Sequence, residues 1–268
     1  MSIEMKNYVG ENDNIEILET KGMFNIFEFK RDLSVYPWTA QTAYFMSKMG
    51  VRMRQLFIDI EDDAIRLKPG AMKMIVGSVV SETGVKGAGD LLGKMVKGKM
   101  TGDAAIKPIY KGTGAVITEP TFDHMLIESM NDWNGAMVCD DGSFVACDDE
   151  VKDTVVMRKN ISSAVAGHEG LFNLCLEGSG FVVIKSPVPR GELVELDLKD
   201  DVVKIDGDNA IAWSKSLEFT VERSSKTLIG SAVNGEGLVN VYRGTGKILV
   251  APLTREEANF SGSGFLHT

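Results

Sequence analysis

Hydrophobic and polar residues alternate with a period of two along several short stretches of this chain. Leu56-Phe57-Ile58-Asp59-Ile60-Glu61 and Leu193-Val194-Glu195-Leu196-Asp197-Leu198 show it most clearly. That period sends alternate side chains to opposite faces of an extended backbone, so both stretches are predicted as strands with one buried face. Phe181-Val182-Val183-Ile184 and Lys247-Ile248-Leu249-Val250 are apolar on both faces. They are predicted as strands covered on both sides, or lying where two units meet. Apolar runs such as Met74 to Val80 fall far short of the ~20 residues of a spanning helix.

A second regularity is longer than any strand. Residues 106–120 read Ile-Lys-Pro-Ile-Tyr-Lys-Gly-Thr-Gly-Ala-Val-Ile-Thr-Glu-Pro, residues 172–187 read Phe-Asn-Leu-Cys-Leu-Glu-Gly-Ser-Gly-Phe-Val-Val-Ile-Lys-Ser-Pro, and residues 238–252 read Leu-Val-Asn-Val-Tyr-Arg-Gly-Thr-Gly-Lys-Ile-Leu-Val-Ala-Pro. Their first glycines, Gly112, Gly178 and Gly244, are evenly spaced along the chain, and Pro120, Pro187 and Pro252 close the three segments. The stretch from Val138 to Ala146 precedes its counterpart, Lys204 to Ala212, by that same interval, and Leu67 to Ile75 is a looser copy. A fixed period marks one supersecondary unit made several times. The pairs Gly112/Gly114, Gly178/Gly180 and Gly244/Gly246 are read as structural turns. Glycine accepts positive φ at little steric cost, and Thr or Ser between two glycines suits a hairpin connection or a bulge.

Flanks rich in Val, Ile, Phe and Tyr, with turns every eight to twelve residues, predict small β-barrels or sandwiches. The fold class is therefore all-β, with three tandem units in a pseudo-threefold arrangement: unit 1 over 49–120, unit 2 over 121–187 and unit 3 over 188–252. An N-terminal extension, 1–48, carries strand-like Ile15–Leu18 and Phe24–Phe29. A Met- and aromatic-rich stretch follows, around Trp38 to Met53. The tail, 253–268, contains Ser-Gly-Ser-Gly and reads as mobile. Units in a row expose strand edges, which homo-oligomerisation would remove.

Composition and charge narrow the classes further. The chain has 268 residues, 44% hydrophobic and 25% charged, an ordinary globular balance that needs no covalent staple. Its net charge of −9 repels phosphate backbones, which argues against nucleic acid as a partner. Cys139, Cys147 and Cys175 are odd in number and form no Cys-x-x-Cys, so they read as reduced core thiols. The N-terminus has neither the basic-then-apolar start of a signal peptide nor an Arg-rich transit sequence, and the cytoplasm is the expected compartment.

The glycine words, Pro69-Gly70-Ala71-Met72, the stretch Gly93-Lys94-Met95-Val96-Lys97-Gly98-Lys99-Met100-Thr101-Gly102, and Asn234-Gly235-Glu236-Gly237-Leu238-Val239 occur in one order. With them, residues 49 to 252 resemble the altered-inheritance-of-mitochondria protein 24 family in its bacterial form. The resemblance implies a fold like that of the trp RNA-binding attenuation protein, with short double-stranded β-helix units, three per chain, and a homotrimer. It implies no catalytic residue and no cofactor.

Catalytic signatures are missing from the sequence. His168-Glu169-Gly170-Leu171-Phe172 opens like a zinc-protease helix but lacks the second histidine, and His124 and His267 do not occupy equivalent places in the units. Gly87 to Met95 has Ala88 where a phosphate loop needs its first glycine and Met95 where it needs Ser or Thr. The Gly-Thr-Gly words enter strands where a dinucleotide fingerprint would enter a helix. Asp140, Asp141, Asp148, Asp149 and Glu150 lack calcium-loop spacing and read as solvated strand ends.

One segment offers an interaction surface. Residues 84–102 are Gly-rich and place Leu91, Leu92 and Met95 beside Lys94, Lys97 and Lys99. A short amphipathic helix there would suit an anionic membrane or an acidic protein partner, and a helical insertion packed on its own barrel is the plainer alternative. The leading expectation is a non-enzymatic oligomeric β-scaffold binding a protein partner or a membrane surface. A ligand-controlled RNA binder is the alternative by analogy of fold. Such a ring needs a cation at equivalent positions of every unit, and Lys111, Glu177 and Arg243 break that rule in the middle copy. A metal-dependent β-helix enzyme is the third reading.

Overall fold

In the computed structural model, the described residues are 3–8, 10–83, 107–157, 172–206, 209–223 and 238–253. The chain enters through a hairpin, β1 (Ile15–Lys21) and β2 (Phe24–Phe29), and then helix α1 (Ala40–Lys48). Three long strands follow: β3 (Arg54–Leu67), β4 (Met72–Glu82) and β5 (Ile109–Thr118), with β5 hydrogen-bonded between β3 and β4. Next come six short strands: β6 (His124–Ser129), β7 (Ala136–Cys139), β8 (Phe144–Asp148), β9 (Lys152–Met157), β10 (Phe172–Glu177) and β11 (Phe181–Ser186). The last four are β12 (Val194–Asp206), β13 (Ala210–Ser214), β14 (Glu218–Arg223) and β15 (Leu238–Val250).

These strands form two curled, barrel-like sheets of antiparallel pairs. The first runs β1-β2-β3-β8-β11-β6, with β5 and then β4 branching from β3. The second runs β12-β15-β13-β7-β10-β9, with β14 also on β15. The middle strands are shared: β6, β8 and β11 belong to the first sheet, and β7, β9 and β10 to the second. A 3₁₀ turn, Met130–Trp133, carries the chain from β6 to β7. Met130 and Trp133 are buried with Leu126, Cys147, Val182 and Leu249, so side chains of both sheets share one core at the crossing. The Trp133 indole would be a costly orphan donor there, and it donates to Glu128 Oε2 at 2.9 Å.

The glycine words do not close hairpins, and this corrects the turn reading. β5 runs straight through Gly112 and Gly114, and β15 through Gly244 and Gly246. Only Gly178 and Gly180 separate two strands, β10 and β11, and there the chain passes from one sheet to the other. The reason is crowding. Gly112 and Gly114 have φ of +130° and +154°, and a Cβ on either would stand 2.1 Å from a carbonyl oxygen of β4. The extra residue lies on the facing strand. Asp62 and Asp200 bulge out of β3 and β12 with φ of +51° and +54°. Each bulge N–H donates to the threonine of the opposing word, Thr113 Oγ1 at 3.2 Å and Thr245 Oγ1 at 3.0 Å. The tight turns lie in the connections 67–72 and 139–144, where Gly70 and Gly142 take φ of +76° and +75°.

The strand-like stretches of the N-terminal segment become β1 and β2, and β2 pairs with β3 from Phe24↔Ile58 to Glu28↔Arg54. Their hairpin also reaches the far end of the same sheet. Lys21 Nζ donates to the Ile127 carbonyl at 2.7 Å, and the Ile127 N–H donates to Glu19 Oε2 at 3.4 Å. The first sheet thus curls until its two end strands, β1 and β6, touch. The predicted insertion at 84–102 and the tail from 254 lie outside the described residues.

Gly114→Ala is expected to lower unfolding free energy by at least about 2 kcal/mol, because it adds a steric clash to a φ that L-residues avoid. Gly10→Ala, with φ of +83° and nothing within 4 Å of its Cβ, is expected to cost about 1 kcal/mol. Paired urea melts measure the difference, and equal midpoints would contradict the crowding argument.

Candidate interaction face

The segment between β2 and β3 builds a surface unlike the rest of the molecule. Helix α1 buries none of its residues. Ala43, Met46 and Ser47, spaced one turn apart, lean toward the body, while Tyr44, Phe45 and Lys48 face solvent. Leu33, Tyr36, Trp38, Tyr44, Phe45 and Met49 are 56% to 81% exposed. The rings of Tyr36 and Trp38 stack with centroids 4.9 Å apart and planes 2° from parallel, so the exposed aromatics are ordered against one another. Contiguous exposed apolar surface of this kind marks an interaction site.

The arm is fastened by polar bonds. Glu28, buried in β2, holds Arg54 NH2 at 2.6 Å and Arg52 NH1 at 2.8 Å. Arg52 Nε donates to the Ser47 carbonyl at 3.3 Å, and Arg54 NH2 to the Gly50 carbonyl at 3.4 Å. Ser47 Oγ donates to the Lys30 carbonyl at 2.6 Å, tying the helix back to the end of β2. A buried carboxylate flanked by two guanidiniums thus sets the position of the helix. Between helix and sheet lies an apolar cavity of about 300 Å³, lined by Phe29, Val35, Ala43, Met46, Met53 and Phe122 among others.

Charge sets this segment apart as well. Residues 30–54 hold five basic side chains and one acidic, a net charge of +4 against −9 for the whole chain, which leaves −13 elsewhere. Lys30, Arg31 and Lys48 are exposed, and Lys48 Nζ lies 5.4 Å from the centre of the Tyr44 ring.

Elsewhere the described residues offer less. A polar groove of about 960 Å³ runs along the seam between the sheets. Two ion pairs cross it: Arg190 pairs with Glu128 and Lys247 with Glu195, and Lys247 also covers the Trp133 ring at 4.4 Å. Among the described residues no group of His, Cys, Asp and Glu has metal-binding geometry. His124 opens β6, and His168 and His267 lie outside the described residues. Lys94, Lys97, Lys99, Leu91, Leu92 and Met95 also lie outside them. Cys139, Cys147 and Cys175 are free and buried. Burial pushes the Cys147 thiol up to about 12 and the Cys175 thiol up to about 11, so neither is a nucleophile near neutrality.

The Met- and aromatic-rich stretch from Trp38 to Met53 was legible as composition, but its exposure was not. Aromatic residues outside any strand period normally read as core. A dense cluster beside three basic residues, on a helix too short to bury itself, is the signal that points outward.

The fold is all-β, with an exposed aromatic segment before β3. The family model described as Mitochondrial biogenesis AIM24 matches residues 46–253, and the chain belongs to that family. An uncharacterized protein of Streptococcus pyogenes serotype M6 is 26% identical over 214 residues, 77% of this chain and 83% of its own length. A crystal structure of a Streptococcus pyogenes protein shares the fold, with a TM-score of 0.55 and 22% identity over 76% of this chain and 89% of its own. Most of the aromatic arm precedes the family match. No helix among the described residues is long and apolar enough to cross a membrane.

Two outcomes test this description. Glu28→Ala leaves a buried guanidinium without its carboxylate and is expected to cost about 3 kcal/mol, read by thermal melting with loss of helical signal from the arm. The raised thiols make a pH prediction. In the unfolded chain they ionise near 9, while in the folded chain they hold their protons to about 11 and 12. Stability from this source is complete below pH 9 and falls as pH rises through that window. Urea midpoints between pH 8 and 11 check it, with Cys147→Ala flattening the decline.

Proposed function

We propose that this chain is a non-enzymatic, oligomeric β-scaffold that presents the aromatic and basic face of residues 30–51 to an anionic membrane surface. The observation that carries the reading is the exposure of the stacked Tyr36 and Trp38 and of Tyr44 and Phe45, with Lys48 over the Tyr44 ring, in a segment that also holds exposed Lys30 and Arg31, on a body that is otherwise acidic. Aromatic rings with a polar edge favour the level of lipid headgroups, and lysine and arginine add attraction to anionic lipid. The opposite charge of the body would keep the rest of the chain away from the bilayer and orient it.

The scaffold itself is read as three consecutive modules arranged like the units of the trp RNA-binding attenuation protein. The glycine-bearing strand β5 opposite the bulge in β3, and β15 opposite the bulge in β12, support this reading for the first and third modules. The RNA-binding alternative draws little support from the side chains it would need. Lys111 pairs with Glu82 at 2.6 Å and Arg243 with Glu222 at 2.6 Å, while Glu177, the acidic member, pairs with Lys215 at 2.9 Å.

Trp38 reports on the face directly, because it is 77% exposed while Trp133 and Trp213 are 1% and 3% exposed. Vesicles of phosphatidylserine and phosphatidylcholine are expected to shift its emission to the blue and to co-sediment with the protein. Pure phosphatidylcholine is expected to do neither. Trp38→Ala with Phe45→Ala is expected to weaken co-sedimentation at least tenfold. Unchanged emission and no co-sedimentation with the anionic vesicles would overturn the reading.

A further inference from the structure

In the cavity between helix α1 and the first sheet, apolar side chains surround a space that none of them fills. Phe29 at the end of β2, Val35 before the helix, Ala43 and Met46 on it and Met53 after it all line the space, and none of the five is buried. Phe122, which follows β5, also lines it and is 41% exposed. Protein interiors leave few voids larger than a water molecule, because unfilled space forfeits dispersion contacts along its lining. This gap measures about 300 Å³. Polar bonds keep it open by fixing the C-terminal end of the helix without close packing. Ser47 Oγ donates to the Lys30 carbonyl, Arg52 Nε to the Ser47 carbonyl, and the Val51 N–H to the Met46 carbonyl at 2.9 Å.

Size and charge together describe an occupant. A water molecule takes up about 30 Å³ of the liquid and a methylene group is of similar size, so the cavity has room for about ten carbons. That volume stands at the small end of ligand sites, about 300 to 1,000 Å³, and admits one acyl chain but not two. An apolar lining offers water few hydrogen bonds. The rim is cationic: Lys30, Arg31 and Arg52 line it against one acid, Asp32. Arg52 is engaged with Glu28 and Ser47, and the Asp32 carboxylate accepts from the N–H and hydroxyl of Ser34 at 2.9 and 2.6 Å. Lys30 and Arg31 are exposed and make no ion pair among the described residues. An anionic head at the mouth of an apolar slot answers both features.

We propose that this cavity binds a free fatty acid of about ten carbons, its single chain between Met46 and Phe29 and its carboxylate at Lys30 and Arg31. The site lies on the inner side of the arm and goes beyond the membrane reading, which uses the outer side. Most of its lining precedes residue 46, where the family match begins, so the arm supplies the site more than the shared β body does.

Calorimetric titration of the full chain with decanoate, below its micellar concentration and without vesicles, tests the site. One decanoate is expected to bind per chain. Each methylene moved from water into an apolar site favours binding about fourfold, so affinity is expected to climb by about that factor per carbon from hexanoate to decanoate. It is expected to level off beyond about twelve carbons, where the space is full, whereas adsorption to the outer rings would keep rising. Met46→Trp fills the gap and is expected to lower decanoate affinity about tenfold or more with the melting temperature undiminished, and Ala43→Phe is the second filling variant should the first fail to fold. Lys30→Gln with Arg31→Gln is expected to weaken decanoate about threefold and leave decanol unchanged. No saturable binding, affinity that rises without levelling, unchanged affinity in a folded filling variant, or equal effects of the rim changes on decanoate and decanol would each overturn the site. Trp38→Ala with Phe45→Ala, on the outer side, is expected to leave decanoate affinity within about twofold, so a failed cavity and a failed membrane face give different results.

Discussion

The molecule depends on how closely the backbones approach in its central strands. Where β5 meets β4, a carbonyl oxygen occupies the place of a Cβ at Gly112 and again at Gly114. Only glycine fits, and only glycine holds those φ values without strain. That kink lets a long strand turn within a sheet, and the opposing bulge at Asp62 takes up the register change. A positive-φ glycine opposite a bulge recurs at Gly244 and Asp200, there without the close carbonyl. In the middle of the chain the bend is sharp enough for β10 to leave one sheet and β11 to enter the other. Two curled sheets sharing one core follow from a few glycines.

Burial at the crossing adds the second constraint. Trp133 and Met130 fill the space between the sheets, and Glu128 satisfies the indole where water is excluded. Both sheets lose core contacts if either moves, which ties them into one body. A similar logic holds the N-terminal arm. Glu28 is buried with Arg52 and Arg54, and the energy of that cluster depends on all three staying together. The aromatic face is exposed, yet the residues that place it are not.

The proposed activities use these two properties separately. The acidic surface of the β body keeps it from binding anions indiscriminately. The arm supplies a small basic and aromatic face with a defined orientation. Neither requires a nucleophile, and the thiols of the core are held protonated by their burial.

The all-β class, the even spacing of the glycine words and the strands at 15–18 and 24–29 were legible in the order of residues alone. Each is a local property: alternation, β-propensity, or a residue needed for positive φ. The turns were misplaced at that level, because glycine signals freedom of φ without saying whether the chain reverses or merely kinks under a neighbouring strand. Packing resolved it, through the carbonyls of Val76 and Ser78 pressing on Gly114 and Gly112. Packing also made Trp133 and Trp213 core and left Trp38 facing outward, a difference that composition cannot express. Exposure depends on what other parts of the chain cover, and that is set only when strands distant in sequence have paired.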